Sequence, residues 1–169
     1  MLEHLITSKT RLRMLLKFFL HPENSAYLRE LANEFGDSTN AVRVELNRLA
    51  EAKLLRKEEA GNRIVYQANQ DHAVFPSLKK LVRQSVQWDD LYAAAKRIGA
   101  EAIFLRESEK LKTFSYLLVH PSNTYSCFHR VEEKDHSLDL LVISEDELES
   151  VKAESQSCFL IWKDNERHA

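Results

Sequence analysis

Residues 38–49 read STNAVRVELNRL, and the pattern of this stretch is the strongest indication of how the first half of the chain folds. Its apolar side chains recur at the spacing of one face of an α-helix, so the stretch predicts an amphipathic helix. The apolar residues of that face are Val42, Leu46 and Leu49. A shorter helical segment, YLRELANEF at residues 27–35, precedes it and ends at Gly36. Two helices joined by a tight turn containing glycine predict a helix-turn-helix unit.

The opposite face of this predicted helix combines amides, guanidinium groups and one small apolar side chain. Its residues are Asn40, Arg43, Val44, Asn47 and Arg48. Asparagine pairs with adenine, arginine with guanine or phosphate, and a small apolar group contacts the methyl group of thymine. Thr39 lies at the N-terminus of the helix, where we expect it to donate to a phosphate. This face predicts sequence-specific binding to double-stranded DNA.

After this helix the spacing of the apolar residues changes from that of a helix to that of a β-strand. Residues 54–60 and 63–69 read as two strands around a turn at Gly61 and Asn62, which is typical of a β-hairpin. We expect Asn62 and Arg63 to contact the DNA backbone beside the groove, and Arg56 is a further basic candidate.

Other helices complete the first half. One begins after Ser8 and ends before Pro22, a second begins near Ser25, and Pro76 opens a helix after the hairpin. A β-hairpin that directly follows a helix-turn-helix is typical of a winged-helix domain. The order of three helices, hairpin and helix therefore predicts a winged helix-turn-helix domain over residues 1–87.

Charge is distributed unevenly between the two halves. Residues 1–87 carry 14 Lys+Arg against 10 Asp+Glu, whereas residues 88–169 carry 10 against 16. A net charge of +4 followed by one of -6 favours two functional halves, of which only the first approaches a polyanion. On the first long helix, one face is basic and is a weaker candidate for phosphate contacts. Its residues are Lys9, Arg13 and Lys17, with Arg11 nearby.

The first half resembles the winged helix-turn-helix domain of ArsR-type bacterial transcriptional regulators. The resemblance covers residues 5–87, on YLRELANEFGDSTNAVRVELNRLAEAKLL followed by GNRIVYQAN. It implies that the third helix enters the major groove, that the hairpin lies on the adjacent backbone, and that two copies dimerise through their first and last helices. Glu58 and Glu59 depart from the basic residues usual near the hairpin tip in this family.

The second half, residues 88–169, predicts a small α/β domain. Residues 88–98 and the acidic stretch 145–154 read as helices, and five short segments rich in aromatic and branched residues read as strands. The strand segments are 101–106, 113–119, 124–129, 138–144 and 157–163. The predicted fold class is therefore α+β, with a winged helix-turn-helix domain followed by a small α/β domain.

The second half also resembles a degenerate copy of the minimal nucleotidyltransferase domain. Metal-assisted nucleotidyl transfer needs at least two carboxylates on neighbouring strands and a Gly-Ser turn for the phosphates. Residues 106–109 read RESE in place of that turn, and Asp139 is the only carboxylate at a matching position. We therefore expect no enzyme activity, and a role for this domain in dimerisation or sensing.

Five residues raise the question of a metal site. They are His120, Cys127, His129, His136 and Cys158. Zinc sites usually draw on closely spaced pairs such as C-x2-C or H-x3-H, and this sequence has none. Because both cysteines lie among aromatic and branched residues, we expect buried structural thiols. No metal and no cofactor are predicted.

The remaining expectations concern location and partners. No apolar run approaches the roughly 20 residues needed to cross a bilayer, and the start MLEHLITSK lacks the core of a signal peptide. A cytoplasmic protein without membrane contact is expected. One recognition helix supplies few base contacts, so a homodimer on a pseudo-palindromic site is expected. Two alternatives stay open: a winged-helix module that binds another protein, and a nucleotidyltransferase-type enzyme.

Overall fold

The computed structural model describes residues 2–108, 113–122, 126–132, 137–154 and 158–163. The chain is an α+β protein that divides into two compact units, Met1–Trp88 and Asp89–Ala169. Each unit has its own β-sheet. The boundary expected from the sequence, between residues 87 and 88, lies one residue from this division.

The first unit combines five helices with a three-stranded antiparallel sheet. The helices are α1 (Leu2–Leu5), α2 (Lys9–Leu20), α3 (Leu28–Phe35), α4 (Thr39–Glu51) and α5 (Phe75–Ser85). The strands are β1 (Ser25–Tyr27), β2 (Leu55–Ala60) and β3 (Arg63–Ala68). In the sheet β3 lies between β1 and β2.

Helix α2 forms the centre of this unit. Ser8 caps its N-terminus, accepting a hydrogen bond from the Arg11 amide at 3.2 Å, as the sequence predicts. Met14, Phe18 and Phe19 of α2 are fully buried. Removing each such side chain from water stabilises the fold by about 1.5–3 kcal/mol. Helix α2 is thus the support against which α4 and α5 pack.

The helix predicted from Ser25 begins three residues later, at Leu28. Residues Ser25–Tyr27 instead pair with β3, with Tyr27 opposite Val65. The backbone groups of this segment are thereby bonded across the sheet, and the Tyr27 amide donates to the Glu30 carboxylate at 3.2 Å. The start predicted for this helix is therefore wrong, because cross-strand pairing outweighs local helix formation.

A short turn connects α3 to α4. Gly36 ends α3 with a φ of 65°, a left-handed conformation that a side chain would disfavour. Ser38 then caps α4 by accepting a hydrogen bond from the Ala41 amide at 3.2 Å. The turn predicted from the glycine is confirmed, and Ser38 is the residue that caps the helix after it.

The hairpin β2–β3 closes at Gly61 and Asn62, and its register runs from Leu55–Ala68 to Ala60–Arg63. Ile64, Tyr66 and Ala68 alternate along β3 and share one face of the strand. Tyr66 and Ala68 are buried, but Ile64 is 46% exposed. The difference has a simple reason, since Ile64 lies near the tip, beyond the edge of the core. The far end of the hairpin therefore projects from the unit.

In its described residues the second unit contains two helices, the first of which begins at the last residue of the first unit, and a five-stranded mixed sheet. The helices are α6 (Trp88–Ile98) and α7 (Glu145–Glu154), with the bounds that the sequence predicts. The strands are β4 (Ala102–Ser108), β5 (Thr113–Val119), β6 (Cys127–Glu132), β7 (Ser137–Ile143) and β8 (Cys158–Lys163). Their order is β6-β7-β5-β4-β8, with β5 and β7 parallel and every other neighbour antiparallel.

Helix α7 is anchored to this sheet through Leu148, which belongs to the same buried cluster as Phe104 and Leu117. Ser144 and Glu147 form a capping box at its start: the Glu147 amide donates to Ser144 Oγ at 3.1 Å, and the Ser144 amide donates to Glu147 Oε2 at 3.0 Å. Across the part of the chain that the structure describes, no helix has both the length and the apolar character for a membrane span.

Candidate nucleic-acid interface

Helix α4 has two chemically different faces. Val42 and Leu46 are fully buried and Leu49 nearly so, which confirms the predicted inner face. The residues predicted to contact DNA lie on the other side, where all are exposed except the half-buried Asn47. They are Thr39, Asn40, Arg43, Val44, Asn47 and Arg48. Val44 is 40% exposed although it is apolar, so the outer face includes a small hydrophobic spot between amide and guanidinium groups.

The hairpin lies along one flank of α4. Lys57 Nζ on β2 donates to Asn47 Oδ1 at 3.4 Å. Asn62 and Arg63 are exposed at the tip, and the Arg63 guanidinium lies 5.7 Å from the centre of the Tyr27 ring. Helix α4 and the hairpin thus contact each other through polar side chains.

Two features of the hairpin reduce its positive charge. Glu58 and Glu59 are exposed near the tip. Arg56 is bound by Asp71 and donates to Asn69 Oδ1 at 3.0 Å, so the basic side chain expected to be available here is held by the protein itself. Arg63 is the principal cation at the tip.

The other flank of α4 carries a group of side chains that the sequence patterns did not reveal. Glu45 points inward and is only 5% exposed. Its Oε1 accepts hydrogen bonds from Ser8 Oγ at 3.0 Å and Arg48 Nη1 at 3.2 Å. Arg11 binds it in a bidentate manner, with Nε 2.8 Å from Oε2 and Nη2 3.3 Å from Oε1. We call Ser8, Arg11, Glu45 and Arg48 the Glu45 cluster.

The electrostatics of the Glu45 cluster favour the ionised carboxylate. Burial alone would raise the pKa of Glu45, but the hydrogen bonds from Arg11 and Ser8, together with the charges of Arg11 and Arg48, hold it below its usual value near 4.5. One carboxylate therefore binds two guanidinium groups, and the cluster keeps a net positive charge at neutral pH.

Two basic side chains of α2 that were candidates for phosphate contacts are bound within the protein instead. Arg13 is only 6% exposed, and its Nη1 donates to the carbonyl oxygen of Phe35 at 2.7 Å. It also lies 3.4 Å from Asp37 Oδ2, which accepts a hydrogen bond from Thr10 at 2.9 Å. The expectation that Arg13 faces phosphates is wrong, because the turn between α3 and α4 needs a buried donor. Lys17, which lies on the same predicted basic face, pairs with Glu34 at 2.8 Å.

Arg43 differs from these bound cations. Within the described residues no hydrogen bond or ion pair holds its guanidinium group. Its charge acts on Tyr66: burial raises the pKa of the Tyr66 phenol, and the positive charge of Arg43 opposes that shift. Arg43 therefore lies at the junction of α4 and the hairpin with its donors available to a ligand.

The second unit bears on the nucleotidyltransferase resemblance. Asp139 is exposed on β7 and binds Arg130 of β6, with 2.8 Å between Arg130 Nε and Asp139 Oδ1. This hydrogen bond raises the pKa of Arg130 further. Residues 106–108, where a phosphate-binding turn would be needed, continue strand β4, and Glu109 lies outside the described residues.

The metal-ligand candidates are only partly brought together. Cys127 Sγ and His129 Nε2 are 3.5 Å apart on β6. Both cysteines are half-buried, not buried as predicted, because each lies on an edge strand of the sheet. Burial nevertheless raises the pKa of the Cys158 thiol. Among the described side chains no three His, Cys, Asp or Glu residues are grouped as metal ligands, and His136 lies outside them.

No protein-family model, curated protein or solved structure matches this chain. Any proposal about function therefore depends on the geometry and charge of α4 and its two flanks. On this surface exposed amides, available guanidinium donors and a small apolar side chain lie side by side on one helix.

Proposed function

We propose that this chain is a sequence-specific, double-stranded DNA-binding regulator of transcription. Its first unit would act as a winged helix-turn-helix domain, in which α3 and α4 form the helix-turn-helix and the hairpin β2–β3 is the wing. Helix α4 would lie in the major groove, which is wide enough to admit an α-helix. The observation that carries the proposal is the outer face of α4, with its polar groups exposed and its inner face fixed in the core.

The side chains on this face match the chemistry of base edges. Asn40 is exposed, and its amide suits the paired donor and acceptor of adenine. Arg43 has the donors to bind the O6 and N7 atoms of guanine, and Val44 offers the apolar contact that a thymine methyl group needs. Asn47 has its Oδ1 engaged by Lys57, so it would act mainly as a donor.

Contacts to the DNA backbone would fix the position of α4. Thr39 stands at the N-terminus of α4, where the positive end of the helix dipole favours a phosphate. Asn62 and Arg63 would contact the backbone beside the groove. Such contacts orient a protein on the duplex but carry no sequence information.

The proposal includes a homodimer that binds two half-sites, since one recognition helix supplies too few base contacts for useful specificity. The second unit would then serve dimerisation or the sensing of a signal, without catalysis. Its exposed acidic helix α7 would be repelled by DNA. This function would be carried out in the cytoplasm.

The experiment that tests the proposal is selection of bound sequences from a random duplex library by the full chain. We expect enrichment of one motif, made of two related half-sites whose centres lie about 10 base pairs apart or a multiple of that distance. Recovery of unrelated sequences after repeated rounds would contradict sequence-specific binding.

A second function has one observation in its favour. The acidic hairpin tip with Glu58 and Glu59 would suit a protein partner with a basic surface better than it suits a phosphate backbone. Salt separates the two functions, because DNA affinity falls steeply as salt is added. DNA affinity that changes little between low and physiological salt would favour the protein-binding module.

A further inference from the structure

We propose that Arg11 and Arg48, held together by Glu45, form a two-arginine clamp for a single backbone phosphate at the flank of α4 opposite the hairpin. The inference deepens the proposed function and rests on it. It assigns Arg11, a residue of α2, to the DNA interface and makes Glu45 a positioning residue.

Glu45 holds the two guanidinium groups next to each other. Arg11 Nη2 and Arg48 Nη1 lie 3.3 Å and 3.2 Å from the same oxygen, Oε1 of Glu45. Two cations so close repel each other unless an anion lies between them. Glu45 supplies that anion, and because its carboxylate is buried at the centre of the cluster, the free sides of both arginines are directed away from the core.

Both arginines keep guanidinium N–H donors that no group among the described residues uses. Arg11 uses Nε and Nη2 on Glu45, and Arg48 uses Nη1. No other group in the described part of the chain binds the guanidinium group of either arginine, so Nη1 of Arg11 and Nε and Nη2 of Arg48 keep their protons for an external acceptor. The Arg11 side chain is 37% exposed and that of Arg48 is 59% exposed. Both are accessible to a ligand.

The charge and the donors of the cluster suit a phosphate. The two guanidinium groups and one carboxylate leave a net positive charge at the surface. Planar guanidinium forks match the oxygens of a phosphate, and charge-assisted hydrogen bonds of this kind are among the strongest in proteins. A phosphate diester has two unesterified oxygens, one for each arginine.

The clamp lies on the flank of α4 opposite the hairpin. Arg48 follows Val44 by four residues and Glu45 by three, so it lies between the outer face of the helix and its buried side. The hairpin occupies the opposite flank, where Lys57 contacts Asn47. A helix in the major groove has a phosphate backbone on each side. Since the hairpin tip is partly acidic, the clamp supplies the stronger anchor.

The test measures affinity of the full chain for a selected duplex and for a random duplex of equal length, over a range of salt concentrations. Arg11→Ala should weaken binding to both duplexes by the same factor, on the order of tenfold. The double variant Arg11→Ala, Arg48→Ala should reduce the slope of log affinity against log salt by about 0.9, the value for one phosphate. Arg130→Ala, which removes an exposed arginine from a carboxylate pair in the other unit, is the matched control and should change neither quantity.

The variant Glu45→Gln separates an electrostatic role of the cluster from a positioning role, because the two roles predict opposite changes in DNA affinity. This variant makes the surface more positive, so a purely electrostatic role of the cluster predicts tighter binding to any duplex. A positioning role predicts weaker binding, because the two arginines lose the group that brings them together. Thermal unfolding of each variant shows whether it is folded at the temperature of the assay.

Several results would overturn the clamp. They are unchanged binding by Arg11→Ala to a duplex that the wild-type chain binds, a loss of slope near 1.8 in the double variant (two separate phosphates), or tighter binding by Glu45→Gln. Each leaves the DNA-binding proposal intact. If the wild-type chain binds neither duplex, the proposed function itself fails, and the clamp fails with it.

Discussion

Replacing Glu45 by glutamine should destabilise the first unit by about 1.5–3 kcal/mol at neutral pH. The carboxylate accepts hydrogen bonds from Ser8, Arg11 and Arg48, and a hydrogen bond to a charged group contributes about 1.5–3 kcal/mol. The amide nitrogen of glutamine would face a guanidinium donor. The loss stays below the roughly 3–5 kcal/mol of a fully buried ion pair, because the partly exposed arginines return to water.

The same residue should make stability depend on pH, with a definite sign. The folded-state pKa of Glu45 lies below its usual value near 4.5. Its contribution is therefore fully present above the unfolded-state pKa and is lost as the pH falls through the lower folded-state pKa. Glutamine does not titrate. The difference in stability between the wild-type chain and Glu45→Gln should therefore shrink in acid.

Urea unfolding followed by circular dichroism at about pH 7 and about pH 3.5 measures both effects. Glu59→Gln makes the same chemical change at an exposed position and should alter stability by less than about 0.5 kcal/mol. A Glu45→Gln variant that is as stable as the wild-type chain at neutral pH, or whose deficit in stability is the same at both pH values, would contradict this role of the carboxylate.

Three further changes test other parts of the account. Arg43→Ala should cost about 1–3 kcal/mol of binding to the selected duplex and leave random DNA unaffected in fluorescence anisotropy; equal losses on both would reassign Arg43 to a phosphate. Changing both Glu58→Lys and Glu59→Lys should steepen the salt dependence of binding by about 0.9 for each phosphate gained, and an unchanged slope would mean that the hairpin tip stays away from DNA. Leu46→Ala should lower the free energy of unfolding by about 2–5 kcal/mol in urea titrations, whereas a loss below about 1 kcal/mol would contradict its role as the anchor of α4.

Helix α4 and its outer face follow from the sequence because the necessary information is local. The spacing of Val42, Leu46 and Leu49 defines the buried side, and the residues between them must then face outward. The turn at Gly36 and the hairpin turn at Gly61 and Asn62 are equally local, since each depends on one or two residues. These features needed no knowledge of the rest of the chain.

Glu45 and strand β1 could not be found in this way. A glutamate within a helix normally faces solvent, and its burial depends on Arg11, which lies 34 residues earlier in the chain. Strand β1 has only three residues, and its partner on β3 lies about forty residues later. In the second unit the strand segments could be recognised, although β6 (Cys127–Glu132) overlaps the predicted segment 124–129 only at its last three residues. The parallel pairing of β5 with β7 depends on chain-wide packing that no local pattern encodes.

The central claim is that the outer face of α4 reads base edges. The most direct measurement is the ratio of dissociation constants for the selected duplex and for the same duplex with its half-sites scrambled, at a single physiological salt concentration. We expect the selected duplex to bind at least about a thousandfold more tightly. A ratio near one, with either tight or weak binding to both duplexes, would contradict it.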